Sequence, residues 1–163
     1  MFKSTPVSTR CLVVVPARYA SQRFPGKLLE SIHGIPIIAH TLARVSRAKL
    51  VDTVALATDH DAIANVAQDY RIDKFCNVVR TPSWLESGTQ RVAWAVKSMV
   101  DPLDLCNTVV VNVQGDHPGV DPDHVDTVIR LVSECADGQV ATLCTPVRSE
   151  DEFNGQSTVK CVV

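Results

Sequence analysis

Residues 13–29 read VVVPARYASQRFPGKLL, and this stretch decides the fold of the chain. The apolar run that leads into it, residues 11–15, has the composition of a buried parallel strand. A compact loop follows and carries three cations, Arg18, Arg23 and Lys27. Ligands bind beyond the carboxyl ends of strands in open α/β sheets, and three close cations repel one another unless an anion lies among them. We therefore interpret the loop as a polyphosphate-binding loop, with a solvated surface turn as the alternative.

Apolar runs of strand length recur along the rest of the chain. Five runs follow the first one: 51–57, 75–79, 108–113, 139–143 and 159–163. The run at 108–113 reads TVVVNV and is the cleanest candidate for a central strand.

Segments with helical periodicity lie between these runs. Ile38, Leu42 and Val45 recur on one helical face after Pro36, which suits the first turn of a helix. Later helices are expected to begin at Thr58 or Asp59, at Ser87 and at Asp121, and a short helical turn is expected at 150–153.

Strands that alternate with helices predict βαβ units and a parallel sheet. The expected fold class is α/β, a doubly wound and mainly parallel sheet with helices on both faces. No repeat, low-complexity tract or linker divides the 163 residues. We therefore expect a single nucleotide-binding domain over residues 1–163, with residues 1–10 flexible.

The charge balance excludes one large class of function. The chain has 16 basic and 18 acidic residues, so it has no overall positive field for a nucleic acid or a membrane surface. Any anion-binding site must therefore be local. The hydrophobic content of 45% suits a packed globular core.

Six cysteines are present, but none forms a CxxC pair. Cys11, Cys144 and Cys161 lie in or beside apolar runs, where a free thiol acts as a small hydrophobic group. A disulfide framework or a metal site is therefore not expected, and a reducing compartment is favoured. Residues 1–10 hold no apolar stretch of signal-peptide length, and no run approaches the ~20 residues of a membrane span. We expect a cytoplasmic protein without membrane insertion.

Polar clusters follow several of the expected strands. They occupy residues 16–27, 58–61 and 114–118, and a fourth cluster, 87–91, lies at a helix start. The carboxyl ends of parallel strands meet at one edge of a doubly wound sheet, so these clusters are expected to converge on one crevice.

Individual residues in these clusters suit phosphate chemistry. No GxxxxGK[ST] or GxGxxG motif occurs, so Lys27 is the best candidate for the positive charge that phosphoryl or nucleotidyl transfer requires. Asp116 directly follows a strand and could hold Mg²⁺, with a helix cap or a turn as the alternative. The Ser87 cluster offers hydroxyl and N–H groups at a helix N-terminus, with simple N-capping as the alternative. For Asp59 and Gln114, a contact with a ligand and a local helix cap or turn are likewise alternative interpretations.

Four segments together resemble a known family. VVPARYASQRFPGKLL, ALATDHDAIA, SGTQR and VNVQGDHP occur in this order, and they resemble the 3-deoxy-manno-octulosonate cytidylyltransferase family, the CMP-Kdo synthetases. The resemblance runs from about Cys11 to the chain end and implies a nucleotide-diphospho-sugar transferase-like sheet. It implies that CTP and Kdo react with Mg²⁺ to give CMP-Kdo and pyrophosphate for lipopolysaccharide biosynthesis.

The resemblance also implies site residues. Arg18, Arg23 and Lys27 would hold the triphosphate, Gln114 would face the sugar, and Asp116 would carry Mg²⁺. The remaining positions implied around the nucleotide and the sugar are Pro16, Ala17, Thr58, Asp59, Ser87, Gly88, Thr89 and Arg91.

The chain departs from the family pattern in four residues and in length. Leu28, Leu85, Gln90 and His117 stand where the family usually has Pro, His, an acidic residue and another acidic residue. Family members continue for a third of a chain or more, through a dimer-forming segment and a second metal-binding Asp. The resemblance thus implies impaired activity if these residues are the whole chain, and a family homodimer that is weakened or lost. The alternatives are a remnant with weak nucleotide binding, or a cytidylyltransferase for another sugar acid.

Overall fold

The computed structural model describes residues 10–20, 24–70, 76–134, 140–156 and 159–161. Its elements follow in the order β1 (Arg10–Ala17), β2 (Ser31–Ile32), β3 (Ile35–Pro36), α1 (Ile37–Val45), β4 (Thr53–Thr58), α2 (Asp61–Asp69), β5 (Cys76–Arg80), α3 (Gly88–Met99), β6 (Thr108–Asn112), α4 (Pro122–Glu134) and α5 (Glu150–Asn154). Single 3₁₀ turns occupy Lys27–Leu29 and Leu105–Asn107. Within these ranges, no helix has the length and apolar character needed to cross a membrane.

Four parallel strands form the main sheet in the order β5-β4-β1-β6. Val14 of β1 pairs with Ala55 of β4 on one side and with Asn112 of β6 on the other. The predicted parallel sheet is therefore confirmed. The expectation of a central strand at 108–113 is wrong, because β6 forms the edge of the described sheet and pairs with β1 alone. A separate antiparallel hairpin joins β2 to β3.

Side chains of β1 alternate between two hydrophobic cores. Val13 and Val15 are fully buried in the larger core, which includes residues of α1, α2 and α4. Leu12 and Val14 point to the smaller core with Val92 and Ala95 of α3. Helices thus cover both faces, as predicted. Burial of each such aliphatic side chain contributes about 1.5–3 kcal/mol.

Helix starts follow the sequence patterns with one exception. Ile38, Leu42 and Val45 are fully buried on the inner face of α1, as their spacing predicts. The cap of α2 was expected at Thr58 or Asp59, and this expectation is wrong. Thr58 is the last residue of β4 and Asp59 pairs with an arginine, so the Nδ1 atom of His60 accepts the N–H of Ala62 at 3.2 Å instead.

The expected strands at 139–143 and 159–163 do not form in the described residues 140–143 and 159–161. Residues 140–143 instead line a groove of about 960 Å³ between β6 and α4, with Val140 and Leu143 exposed. Their apolar composition alone predicted a strand, but a strand also needs a pairing partner, and they do not pair with β6. The helical turn expected at 150–153 is confirmed as α5.

The described cysteines form no disulfide bond with one another. Cys11 is buried, and this burial raises its pKa to about 12; burial likewise raises the pKa of Cys76 to about 11. Both thiols therefore stay neutral and behave as small hydrophobic groups. Cys144 and Cys161 are exposed, so the expectation that they act as small hydrophobic groups in or beside apolar runs is wrong.

Candidate functional site

A cleft of about 290 Å³ lies where the carboxyl ends of β1 and β6 meet the N-terminus of α3. Three of the four polar clusters identified in the sequence contribute to its walls. The lining residues are Pro16, Arg18, Lys27, Leu28, Glu86, Ser87, Gly88, Arg91, Gln114, Gly115 and Asp116. This is the edge of the sheet at which α/β proteins bind ligands.

Lys27 and Asp116 face each other across the cleft. Lys27 Nζ donates a hydrogen bond to Asp116 Oδ2 at 2.9 Å, and the two side chains are 43% and 42% exposed. The Lys27 ammonium lowers the pKa of the Asp116 carboxyl below its ordinary value, chiefly through this hydrogen bond. A cation and an ionised carboxylate are therefore both within reach of a bound ligand.

The turn that precedes Asp116 is held against the end of β1. Thr41 Oγ1 of α1 donates to the Gly115 carbonyl at 2.9 Å. A Cβ atom on residue 115 would lie 3.0 Å from the Pro16 carbonyl and 3.1 Å from Ile38 Cδ1. Glycine is therefore required for this close approach, which places Asp116 opposite Lys27.

The N-terminus of α3 forms the second wall of the cleft. Ser87 Oγ accepts the Gln90 N–H at 3.1 Å, and Gln90 Oε1 accepts the Ser87 N–H at 3.1 Å, which is a capping box. The helix start expected at Ser87 is thus confirmed, and Ser87 forms the N-cap that was the alternative to a ligand contact. Gly88 lets the Gln114 amide pack against the first turn, because a Cβ atom there would lie 3.1 Å from Gln114 Oε1. The positive end of the helix dipole favours an anion at this wall.

Arg18 spans the two walls. Its Nη1 atom donates to the backbone carbonyl of Glu86 at 2.8 Å. Sequence reasoning missed Glu86 because it contributes a carbonyl oxygen, which every residue type has. Arg23 lies outside the described residues, so its place in the triphosphate loop stays a prediction.

Four predicted binding residues do not line the cleft, namely Ala17, Thr58, Asp59 and Thr89. Ala17 and Thr58 are buried, and Thr89 is exposed. Arg91 does line the cleft, but its side chain is only 2% exposed and forms an ion pair with Asp59, which is 9% exposed. Direct contacts of these five residues with a ligand stay predictions.

The donor set at Asp116 fits one kind of metal site. In the part of the chain that the structure describes, no three His, Cys, Asp or Glu side chains lie together. Mg²⁺ commonly takes one or two carboxylates and completes its shell with water and substrate phosphates. The exposed carboxylate of Asp116 fits such a shared site, and it does not fit an all-protein cage.

Relatives in sequence agree on one family. A family model described as cytidylyltransferase matches residues 12–163. A Zea mays protein named 3-deoxy-manno-octulosonate cytidylyltransferase is 35% identical over 161 residues, which cover 99% of this chain and 51% of the relative. A protein of the same name from Anaeromyxobacter sp. is 38% identical, over 94% of this chain and 58% of the relative. The chain thus spans about half the length of the curated relatives it matches.

Two solved structures have a fold similar to that of this chain. A CMP:2-keto-3-deoxy-manno-octonic acid synthetase complexed with CTP superposes with a TM-score of 0.67 at 29% identity, over 78% of this chain and 49% of the other. A cytidylyltransferase from Leptospira borgpetersenii gives a TM-score of 0.60 at 22% identity, and this match supports the fold alone. The α/β nucleotidyltransferase-like fold expected from the sequence is confirmed.

Proposed function

The chain belongs to the cytidylyltransferase family, and from this premise we propose that its cleft binds CTP and transfers the cytidylyl group to the sugar acid Kdo. The observation that carries the proposal is the 2.9 Å contact between Lys27 and Asp116, at the sheet edge where the cationic loop meets the α3 N-terminus. Lys27 and Arg18 supply positive charge for phosphate oxygens, and Gln114 supplies an amide for the sugar.

The transfer is a displacement at phosphorus. The anomeric hydroxyl oxygen of Kdo bonds to the α-phosphorus of CTP, and the bond from that phosphorus to the bridging oxygen of the β-phosphate breaks. Pyrophosphate leaves with the bonding electron pair, and the hydroxyl proton is released. Lys27 stabilises the negative charge that builds on the phosphate oxygens during this step. Arg23, in the same loop, is proposed to assist it.

Asp116 would hold Mg²⁺ together with the phosphates of CTP. When bound there, the ion neutralises phosphate charge and orients the phosphates. Lys27 donates a hydrogen bond to the same carboxylate. A triphosphate offers Lys27 alternative anionic partners, so it would release Asp116 for the metal.

The proposal is tested by the release of pyrophosphate from CTP, Mg²⁺ and freshly prepared Kdo. We expect Lys27→Met to lower the rate about 10²–10³-fold, because it removes one preorganised charge from the transition state. Asp116→Asn should lower it at least as far. The matched controls are Lys97→Met and Asp69→Asn, which change the same charges at exposed helix positions outside the cleft and should leave the rate unchanged.

Binding of CTP is a separate readout that does not depend on the sugar. Calorimetry with CTP and Mg²⁺ should detect binding to the wild-type chain and weaker binding to Lys27→Met. A wild-type chain that binds no CTP contradicts the proposal. Binding without pyrophosphate release favours the alternative of a nucleotide-binding remnant, and release with another sugar acid but not with Kdo identifies a different acceptor.

The wider setting is proposed on the same basis. We place the reaction in the cytoplasm, as a step that activates a sugar acid for lipopolysaccharide biosynthesis. The expectation of a weakened homodimer is tested by light scattering across a concentration series, in which a dimer that persists at nanomolar concentration would contradict it.

A further inference from the structure

Arg91, one of the residues that line the cleft, forms a buried ion pair with Asp59. Arg91 Nη2 donates to Asp59 Oδ2 at 3.1 Å, and the two side chains are 2% and 9% exposed. Charges at this depth lose their hydration, and they are tolerated where hydrogen bonds satisfy the remaining polar atoms. The partners of the pair therefore show which parts of the molecule it holds together.

The hydrogen bonds of the pair reach loops that follow three different strands. Arg91 Nη2 also donates to the Leu85 carbonyl at 3.2 Å, and Arg91 Nη1 donates to Thr81 Oγ1. The other carboxylate oxygen of Asp59 accepts the Tyr19 backbone N–H at 3.3 Å. The pair thus joins three loops, which follow β1, β4 and β5.

Two of these loops form the walls of the cleft. Tyr19 follows Arg18 directly, and its carbonyl accepts the N–H of Gly26, the residue before Lys27, at 3.0 Å. Its ring also stacks on His60 at 4.0 Å. On the other side, Leu85 leads into the segment that caps α3. The ion pair is therefore linked to both walls through backbone atoms.

We propose that Asp59 and Arg91 are positioning residues that set the separation between the cationic wall of the cleft and the N-terminus of α3. The inference rests on the proposed binding of CTP and assigns neither residue a contact with the nucleotide. Two walls at a fixed separation present their donors to the phosphates without reorganisation on binding.

The substitution Asp59→Asn separates positioning from direct binding by the sign of its effect. The change keeps the size of the side chain and removes the charge that faces Arg91. If Arg91 itself bound phosphate, loss of its carboxylate partner would free a cation and strengthen CTP binding. The positioning role predicts weaker binding, with about a tenfold rise in the Kd for CTP. Unchanged or tighter binding overturns the proposal.

A second buried carboxylate provides the matched control. Asp126 is 1% exposed and accepts the N–H groups of Lys49 and Leu50 at 3.0 and 2.8 Å, and it does not line the cleft. Asp126→Asn should lower Tm while it leaves the Kd for CTP unchanged. An equal loss of CTP affinity in both variants would mean that general destabilisation is the cause, and it would overturn the proposal.

Arg91→Lys is the second variant, used if Asp59→Asn does not fold. It keeps the positive charge but loses the planar fork that reaches Asp59, Thr81 and Leu85 together. The positioning role predicts weaker CTP binding in this variant also. Circular dichroism at the temperature of the titration verifies that each variant is folded, and wild-type affinity in folded Arg91→Lys contradicts the proposal.

Hydrogen exchange distinguishes a failure of this inference from a failure of the proposed function. In the free protein, the amides of Tyr19 and Leu85 should exchange faster in Asp59→Asn than in the wild type, and they should be unaffected in Asp126→Asn. A wild-type chain without CTP affinity contradicts the proposed function but leaves this exchange result in place. Unchanged exchange at both amides overturns the inference, whatever the titrations give.

Discussion

The two neighbours of β1 differ in burial although their sequences are similar. Residues Val54 to Ala57 of β4 are all 0% exposed, whereas Val110 of β6 is 37% exposed. The two strands read TVALAT and TVVVN and both resemble core strands. β4 lies between β1 and β5, whereas β6 has β1 as its one partner in the described sheet. Burial in a sheet is therefore decided by the neighbours of a strand as much as by its composition.

The cleft is lined by residues that follow the interior strand β1 and by residues that follow the edge strand β6. Lys27 belongs to the loop after β1, and Asp116 follows the edge strand β6. One polar contact holds the turn before Asp116: Thr41 Oγ1 of α1 donates to the Gly115 carbonyl. The geometry at Asp116 therefore depends on this specific contact and on the close approach of Gly115 to β1, whereas β4 is held by continuous packing.

The largest effect is expected in the buried strand. Leu56→Ala should lower the free energy of unfolding by about 2–5 kcal/mol, because it leaves a cavity between packed side chains. Val110→Ala, the matched truncation in β6, should cost less than ~1 kcal/mol. Urea unfolding of both variants measures the difference. Equal losses would contradict the contrast between the two strands.

The next effect concerns the contact that anchors α4. Asp126→Ala should destabilise the fold by about 2–3 kcal/mol, because two backbone N–H groups lose a charged acceptor. Asp123→Ala removes an exposed carboxylate from the same helix and should cost less than ~1 kcal/mol through the helix dipole. Thermal unfolding compares the pair. A larger loss in Asp123→Ala would show that α4 is not anchored through Asp126.

A smaller effect is expected at the turn that places Asp116. Gly115→Ala brings a Cβ atom to 3.0 Å from the Pro16 carbonyl and should cost about 1–3 kcal/mol. It should also weaken CTP binding, since the turn must move away from β1. Gly119→Ala is the control, because no atom lies within 4 Å of its Cβ position. If the two variants have the same stability and the same affinity for CTP, the close packing of this turn contributes to neither.

Local patterns in the sequence were sufficient for much of the fold. The run at 11–15 and the spacing of Ile38, Leu42 and Val45 identify β1 and α1 because strand and helix periods are local properties. The cleft was also predictable in outline, since the carboxyl ends of parallel strands lie at one edge. This reasoning predicted that Lys27, Asp116 and Ser87 lie close together, and all three line the cleft.

Other features depend on long-range pairing that no local pattern encodes. The edge position of β6 and the failure of residues 140–143 to form a strand follow from which strands find partners. Arg91 and Asp59 are 32 positions apart, and hydropathy would leave both charges in solvent. Their burial was missed because an ion pair is visible only once the loops are assembled.

The smallest effect concerns the ion pair in the cleft itself. Both side chains are more than 40% exposed, so Asp116→Asn should lower the free energy of unfolding by less than ~1 kcal/mol at pH 7. Lys27 lowers the pKa of Asp116 in the folded chain, and the unfolded chain therefore binds more protons between the folded and the ordinary pKa. The contribution of this ion pair to the free energy of unfolding is complete above about pH 4. It is lost as the pH falls through the pKa of Asp116 in the folded chain. Urea unfolding of the wild type and Asp116→Asn over this range measures it, and a difference that stays constant into acid would contradict the pairing.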